Sequence, residues 1–297
     1  DSRSTEQLTP AMSLEWKPSD TSMFYASFSE GFKSGGFNSV DDQKPIVVSR
    51  EVAGTGAYLA SVGVGDGTNL STNYVPDRTA PGAGWSYDDE TATSFEIGGK
   101  HTLLDGAMTF NWALFTSEYK DQQVSTFVGL GFVVANAASS DVDGFEMDVN
   151  WQATDNLRLG GSFAYLDASY GSFPGAGCTA IQASAVTGLG TLTPASPVKS
   201  ALGCTQQFST DGADGVATGV SQDITGGQIG ADYRGAIFAE YTRPISNGDM
   251  WFAGVDVNFT DGFFLTGDLD PIDYQSGFEK VNVRVGLRGE NWDLMLY

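Results

Sequence analysis

No group of side chains in this chain of 297 residues has the residue types and spacing of a catalytic constellation. His101 is the single histidine, and the patterns Cys-x-x-Cys and His-Glu-x-x-His are both absent. A zinc site or a general acid–base pair needs several such groups brought together. We therefore expect no enzymatic activity and no resident cofactor, and we assign His101 a surface or interfacial role.

Two groups of aspartates have a spacing that would suit calcium. Asp211 and Asp214 form the first group, and Asp268, Asp270 and Asp273 form the second. Clustered carboxylates supply the oxygen ligands that calcium prefers. The chain carries 37 acidic residues against 15 basic ones, so simple solvation of these loop carboxylates is the alternative interpretation. Loop calcium is therefore left as an open expectation.

The charge balance argues against a polyanionic partner. The net charge is −22 and the isoelectric point is about 4.1, which would repel phosphate backbones. Gly31, Gly35 and Gly36 lie close together, but no strand-to-helix context and no following Lys-Ser/Thr pair make them a phosphate-binding loop. We expect no nucleic-acid partner and interpret these glycines as a strand end that opens into a loop.

Two cysteines, Cys178 and Cys204, lie in one stretch rich in Gly, Ala, Ser and Thr. Two cysteines in such a loop-like stretch indicate a disulfide that closes a loop in an oxidising compartment. A pair of free thiols is the alternative. The acidic composition agrees with an extracellular setting, although secreted and halophilic proteins are also acidic.

Alternation with period two indicates which elements carry the polar side chains. In residues 279–288 the apolar positions are Val281, Val283, Val285 and Leu287, and they alternate with Lys280, Asn282, Arg284, Gly286 and Arg288. Residues 144–152 and 251–259 repeat the pattern. Each such strand has one dry face and one wet face. The sequence therefore predicts an all-β fold.

The lengths of the connections distinguish a membrane barrel from a soluble sandwich. Short turns are predicted at residues 18–21, 104–106, 154–156, 247–249 and 289–291, and long connections at 34–89, 123–138, 174–233 and 266–276. Short turns at one end and long loops at the other are typical of outer-membrane barrels. The strands run ten residues or more, whereas soluble strands average about five or six. No stretch approaches the roughly 20 apolar residues of a spanning helix.

Residues 8–38, LTPAMSLEWKPSDTSMFYASFSEGFKSGGFN, resemble a late-barrel segment of the TonB-dependent receptors. The resemblance rests on Thr9-Pro10, on Tyr25-Ala26-Ser27 and on the GFKSGGFN run that ends at Asn38. Later segments such as ETATSFEIGGKHTLLDGAMTFNWALFTSEYKDQQ and VNVRVGLRGENWDLMLY look like further strands of the same family. The similarity covers nearly every strand and fails in the loops.

This resemblance implies a transmembrane antiparallel β-barrel of 22 strands, filled by a separate plug. About ten strands are expected here, corresponding to strands 12 to 21 of that barrel. Residues 1–297 would then be a partial barrel domain, with the plug, the TonB box, the early strands and the last strand outside it. Ten strands alone would leave two open sheet edges, whose unpaired backbone groups are costly in lipid. We therefore expect the remaining strands of the larger barrel to pair with these edges. Closure of the ten strands into a smaller barrel is the alternative.

The family's function implies energised uptake of a small-molecule ligand, such as a ferric siderophore, across the outer membrane of a Gram-negative bacterium. The implied partners are the TonB complex, reached through the plug, and outer-membrane lipid. The candidate ligand contacts are Tyr58, Tyr74, Trp85 and Tyr87 in the loop of residues 34–89. The residues expected to face the lumen are Glu146, Asp148, Arg158, Lys280, Arg284 and Arg288.

Two other functions fit the same strands. A passive, porin-like channel would lack the plug and the TonB box. A structural or adhesive surface barrel would bind a partner with its long loops and transport nothing. The strand pattern is the same in all three, so the choice of TonB-dependent uptake depends on the resemblance.

Overall fold

The computed structural model describes residues 3–38, 86–128, 131–187, 203–208, 217–245 and 248–297. Within these ranges, one α-helix, α1 (Ala180–Thr187), and two 3₁₀ turns, at Leu104–Gly106 and Pro271–Asp273, accompany the strands. In chain order the strands are β1 (Ala11–Ser19), β2 (Ser22–Lys33), β3 (Gly36–Phe37), β4 (Ser86–Tyr87), β5 (Glu90–Leu103), β6 (Met108–Val128), β7 (Gly131–Thr154), β8 (Leu157–Ser172), β9 (Ala176–Gly177), β10 (Thr205–Phe208), β11 (Ala217–Gln222), β12 (Tyr233–Pro244), β13 (Met250–Thr260), β14 (Phe263–Phe264), β15 (Tyr274–Gln275), β16 (Phe278–Arg288) and β17 (Asp293–Leu296).

Ten of these strands form one continuous antiparallel sheet. Their order is β1-β2-β5-β6-β7-β8-β12-β13-β16-β17, so each strand pairs with the next long strand along the chain. The prediction of an all-β fold with about ten antiparallel strands is confirmed. β1 and β17 form the two edges, and within the described part of the chain they do not pair with each other. The ten strands therefore do not close on themselves as a small barrel.

The register places the alternating side chains on two different faces of the sheet. Val283 pairs with Val255, and its neighbour Asn282 pairs with Asp256. Because directly paired residues share a face, the apolar residues of adjacent strands align on one face and the polar residues on the other. On this apolar face Leu14 is 69% exposed and Val283 is 60% exposed. A broad apolar surface of this kind is typical of strands that face lipid.

Tight turns join the strands at one end of the sheet, as the sequence predicts. The 3₁₀ turn Leu104–Gly106 connects β5 to β6, and a two-residue turn connects β7 to β8. The N–H of Ile245 donates to the carbonyl of Asp249 at 2.8 Å and closes the β12–β13 hairpin. Gly248 has a φ of 81° in that turn, which glycine adopts without strain. Asn247 lies outside the described residues.

The long loop predicted for residues 123–138 is wrong. β6 continues to Val128 and β7 starts at Gly131, and Phe127 pairs with Phe132 next to the turn. The segment is rich in β-branched and aromatic residues, which favour extended pairing. With 21 and 24 residues, the two strands are about twice as long as the roughly 9 to 11 that span a bilayer.

The connection of residues 174–233 contains a small folded unit, which we call the cap. It comprises β9, α1, β10 and β11, and the three strands form an antiparallel sheet in the order β10-β11-β9. Its core is formed by Phe173, Ala176 and Ile224 together with Ala138 of β7. Cys178 and Cys204 are joined by a disulfide, which confirms that prediction. The cap therefore packs on the β6–β7 hairpin.

The connection between β2 and β5 begins and ends in a short paired stem. Gly36 pairs with Tyr87, and Phe37 pairs with Ser86, so β3 and β4 together form the stem. In the described ranges, no helix is long and apolar enough to cross a membrane.

Candidate functional site

The polar face of the sheet bounds a cavity of about 710 Å³. Lys100, Glu146, Asp148 and Arg234 line it together with Tyr25. The strand register puts all six residues predicted to face the lumen on this face. The acid–base groups that the sequence singled out are therefore on one surface, although they do not form one cluster.

Arg284 is the centre of an ion network on the polar face. In the sheet, Arg284 on β16 is paired with Gly254 on β13, which in turn is paired with Glu240 on β12. Its guanidinium reaches across β13 to Glu240 at 3.1 Å and also binds Asp256. A Cβ at position 254 would lie only 2.9 Å from Cζ of Arg284. Glycine at this position therefore leaves room for the arginine.

Three other cations on this face lie over phenylalanine rings. Arg158 lies 5.3 Å from the ring centre of Phe238, and Arg288 lies at the same distance from Phe252. Lys280 lies 5.2 Å from the ring of Phe278. These distances lie within the range of cation–π interactions, so each phenylalanine ring helps to hold its cation on this face of the sheet. Lys100 and Arg234, by contrast, form no ion pair with any described residue.

A second polar assembly surrounds the stem at the end of the sheet that carries the long connections. Asn136 of β7 accepts a hydrogen bond from the N–H of Asp88 at 2.6 Å and donates one to its carbonyl at 2.9 Å. Asn38, after β3, forms the same double contact with Val134 of β7, at 2.9 and 2.8 Å. Each asparagine side chain thus donates one hydrogen bond to a backbone carbonyl and accepts one from the N–H of the same residue, as the backbone of a neighbouring strand would. We call the residues that bind one another around the stem, Arg3, Asn38, Asp88, Asp89, Gln123 and Asn136, the collar.

Gln123 and Arg3 complete the collar. The amide of Gln123 donates to the carbonyls of Lys33, Ser34 and Asp88 at 3.1–3.2 Å. Arg3 donates to the carbonyl of Tyr87 at 2.9 Å and pairs with the carboxylates of Asp88 and Asp89. These bonds attach both strands of the stem to the β6–β7 hairpin and to the segment that precedes β1.

Asp89 is the acidic centre of the collar. The N–H of Gly35 donates to its carboxylate at 2.7 Å, and the side chains of Gln7 and Arg3 also donate to it. The hydrogen bond from Gly35, with those from Gln7 and Arg3, lowers the pKa of Asp89 below its ordinary value. The collar therefore favours an ionised Asp89.

Tyr87 is the one predicted ligand contact within the described ranges. Its ring lies over Gly36, where an added Cβ would come within 2.9 Å of the ring carbon Cζ. Tyr87, on β4, thus packs against β3 of the stem, and its position depends on the collar. Tyr58, Tyr74 and Trp85 lie outside the described residues, so their roles stay predictions.

Comparison with known proteins now decides the family. The whole chain, residues 1–297, matches the family described as TonB dependent receptor-like, beta-barrel. The chain belongs to this family. Two known receptors are similar to the chain in sequence over a shorter region. The metal-pseudopaline receptor CntO of Pseudomonas aeruginosa is 32% identical over 111 residues, 37% of this chain and 16% of its own length. The probable TonB-dependent siderophore receptor PiuA of Acinetobacter baumannii is 30% identical over 114 residues, 34% of this chain and 15% of its own length.

Solved receptors of the family share the fold of the chain. The siderophore receptor PiuA from Acinetobacter baumannii aligns over 96% of this chain and 30% of its own, with a TM-score of 0.53 and 17% identity. The ferric yersiniabactin uptake receptor FyuA from Yersinia pestis aligns over 93% and 29%, with a TM-score of 0.51 and 12% identity. The chain therefore spans less than a third of the length of each of these two solved receptors.

His101 lies on the apolar face of this receptor sheet, near a tight turn. Nε1 of Trp112 donates to Nε2 of His101 at 3.2 Å, and Nδ1 of His101 lies 3.2 Å from the hydroxyl of Ser22. Indole N–H is only a donor, so Nε2 of His101 is the acceptor of this hydrogen bond. The rings of Phe24 and Phe110 flank it.

The aspartates proposed for calcium have separate contacts. Asp270 caps the 3₁₀ turn by accepting from the N–H of Ile272 at 3.0 Å, and Asp273 accepts from the hydroxyl of Thr266 at 3.3 Å. Across the described ranges, no group of three His, Cys, Asp or Glu side chains is arranged to hold a metal ion. Asp211 and Asp214 lie outside these ranges. Loop calcium stays a prediction.

The collar residues Arg3, Gln123 and Asn136 are the functional candidates that sequence reasoning missed. Gln123 and Asn136 fall in a segment that was interpreted as a loop, where isolated amides carry no signal. The signal that could have identified the hairpin is the set of Val, Phe and Ala residues between and around these two amides. Arg3 had no signal at all, because its partners are more than 80 residues away.

Proposed function

We propose that the chain forms part of an outer-membrane receptor that takes up a small nutrient, such as a ferric siderophore, with energy from the TonB complex. The observation that carries this proposal is the match of residues 1–297 to the TonB dependent receptor-like barrel family. The two faces of the sheet support it, because the apolar face suits lipid and the polar face suits a lumen. The proposed location is the outer membrane of a Gram-negative bacterium.

The ligand class is extended to this chain from its relatives. One is named as a receptor for metal-pseudopaline and another as a probable siderophore receptor. Both names describe small chelators or their metal complexes. We place the ligand contacts at the end of the sheet that holds the stem and the cap, because this is the end where the strands extend beyond bilayer length. Tyr87 on the stem is the described residue that we assign to the ligand.

Four cations predicted to face the lumen, Arg158, Lys280, Arg284 and Arg288, have a different proposed role. Arg284 is already paired with Glu240 and Asp256, and Arg158, Lys280 and Arg288 lie over aromatic rings. Side chains satisfied in this way stabilise the wall of the barrel and offer little to a passing ligand. Lys100, Arg234 and Glu146 remain available to whatever fills the lumen.

Uptake of radioactive iron tests this function. Iron-starved cells whose only receptor for ferric complexes is the full-length protein are given ferric citrate, a ferric catecholate or a ferric hydroxamate. Each probe is measured in cells with and without TonB, and membranes are fractionated to locate the protein. We expect uptake of at least one probe, only when TonB is present, by a protein in the outer-membrane fraction.

The other outcomes separate the rival functions. Uptake that continues without TonB would identify a passive channel. Binding of the cells to a surface or partner without uptake of any probe would identify an adhesive barrel. Either result would overturn the proposal of energised transport while leaving the sheet and its two faces unchanged.

A further inference from the structure

The stem and the β6–β7 hairpin are far apart in sequence but share a reciprocal set of hydrogen bonds. Asn136 projects from the hairpin to the backbone of Asp88 beside the stem, and Asn38 projects from the stem side to the backbone of Val134 in the hairpin. The two contacts run in opposite directions between the same two segments. Relative sliding of the segments would break both contacts at once.

A local irregularity in β6 adds a third contact. Regular pairing between β6 and β7 is interrupted between Tyr119 and Gln123, and Asp121 has a positive φ of 54°. An interrupted ladder leaves backbone groups free to bond elsewhere. The carbonyl of Asp121 accepts from Asn136 at 2.7 Å. Asn136 therefore uses its oxygen and its amide protons to join the irregular part of the hairpin to the stem.

Gln123 reinforces the same join from the opposite strand of the hairpin. It pairs with Asn136 across the ladder, and its amide reaches the carbonyl of Asp88 as Asn136 does. Its own N–H donates to the carboxylate of Glu90 at 2.9 Å, at the start of β5. Two neighbouring amides thus converge on the carbonyl of Asp88, directly after the stem.

We propose that Gln123 and Asn136 are positioning residues that make the stem and the β6–β7 hairpin one rigid unit, and thereby set the place of Tyr87 for ligand binding. Neither side chain needs to touch the ligand. The ligand in this inference rests on the proposed function, but the rigid unit does not. Loss of either amide would loosen the stem on the hairpin while the ten-stranded sheet beneath stays paired.

The test uses the full-length receptor with spin labels at Ser86→Cys and Ser125→Cys, one on the stem and one on the hairpin. Distances between the labels are measured by pulsed electron resonance in the parent and in Asn136→Leu and Gln123→Leu. Gln122→Leu is the matched control, because Gln122 is the adjacent residue and has no side-chain hydrogen bond to another described residue. We expect a narrow distance distribution in the parent and in the control and a broad one in both variants.

A ligand-binding measurement separates positioning from general damage. For the ferric complex with the highest uptake in the transport experiment, the half-saturation concentration should rise about fivefold to thirtyfold in Asn136→Leu, because the variant loses the modest net stabilisation of the three hydrogen bonds of Asn136. The maximal rate and the melting temperature should stay at parent values. A fall in maximal rate or melting temperature with unchanged half-saturation would show a structural role and overturn the positioning role.

The two measurements fail independently. An unchanged label distance in both Asn136→Leu and Gln123→Leu would overturn the rigid unit, whatever the receptor transports. Absence of uptake of every ferric complex, with label distances that respond as expected, would overturn the proposed function and leave the rigid unit standing. Asn136→Gln is the second variant, because it keeps the amide and alters only its reach.

Discussion

The β6–β7 hairpin is contacted on two sides by assemblies of opposite chemistry. On one side Val124, Ala137 and Ala138 pack against the apolar core of the cap, which is closed by a disulfide. On the other side Gln123 and Asn136 bind the collar through amide hydrogen bonds. Adjacent residues such as Gln123 and Val124 point to opposite faces of a strand, so one hairpin serves both.

The cap and the collar differ in how strongly each one is attached to the β6–β7 hairpin. The cap buries apolar side chains and a covalent cross-link, and its stability does not depend on pH or salt to first order. The collar is built from hydrogen bonds and ion pairs near the surface, and each of these contributes only about 1 kcal/mol. We infer that the cap is the fixed support of the hairpin and that the collar is the adjustable one.

Removal of the disulfide should have the largest effect. Cys178→Ala with Cys204→Ala opens a loop with a sequence separation of 26, which should ease opening of the cap by about 3–4 kcal/mol. Hydrogen exchange in the full-length protein should accelerate at the amides of β10 and stay unchanged at Val134. Reduction of the parent with a thiol serves as the control. Equal acceleration at both places would mean that cap and collar open together.

Truncation in the cap core should come next. Ile224 is 7% exposed, and Ile224→Ala should destabilise the cap by roughly 2–4 kcal/mol. Ile181 on α1 is 53% exposed, so the matched change Ile181→Ala should cost no more than about 0.5 kcal/mol. Protease cleavage within the cap measures both. Similar cleavage rates in the two variants would show that the apolar core does not hold the cap.

The sequence predicted the sheet well because its rules are local. The alternation of Val281, Val283 and Val285 with Asn282 and Arg284 identifies a strand and its two faces without knowledge of any partner. Short turns rich in Gly, Asn and Asp identify the hairpins in the same way. The number of strands and their order follow from these two patterns, and the structure agrees with both.

The collar was not predictable because its rules are not local. Asn136 and Asp88 are 48 residues apart, and Arg3 and Asp88 are 85 apart. Nothing in the composition around them indicates that they meet. The error at residues 123–138 had a different cause, because this segment was interpreted as a long connection, whereas its β-branched and aromatic residues continue the β6–β7 pairing up to Val128 and Gly131. The disulfide was predictable because cysteine has few other roles in such a loop.

Acidification should loosen the collar and leave the cap unchanged. The lowered pKa of Asp89 means that its contribution is present above the ordinary aspartate pKa of about 4 and is lost as pH falls through the lower folded value. The distance between labels at residues 86 and 125 should therefore stay narrow from pH 5 to 7 and broaden only at more acidic pH. Asp89→Asn should remove that dependence. Broadening already between pH 7 and 5 would point to a different titrating group.

The smallest expected effect is at Arg3, which joins the segment before β1 to the collar. Its partner Asp88 is 83% exposed at the side chain, and pairs of this kind contribute about 0–1 kcal/mol. Arg3→Ala should therefore broaden the label distances only slightly, and high salt should have the same effect on the parent because it screens exposed charges. Lys120→Ala is the matched control, since Lys120 pairs with Glu118 at 3.0 Å on the β6–β7 hairpin but outside the collar. A large broadening of the label distances in Arg3→Ala that high salt does not reproduce in the parent would contradict this expectation. It would show that the hydrogen bond from Arg3 to the uncharged carbonyl of Tyr87 holds the stem more firmly than the two ion pairs do.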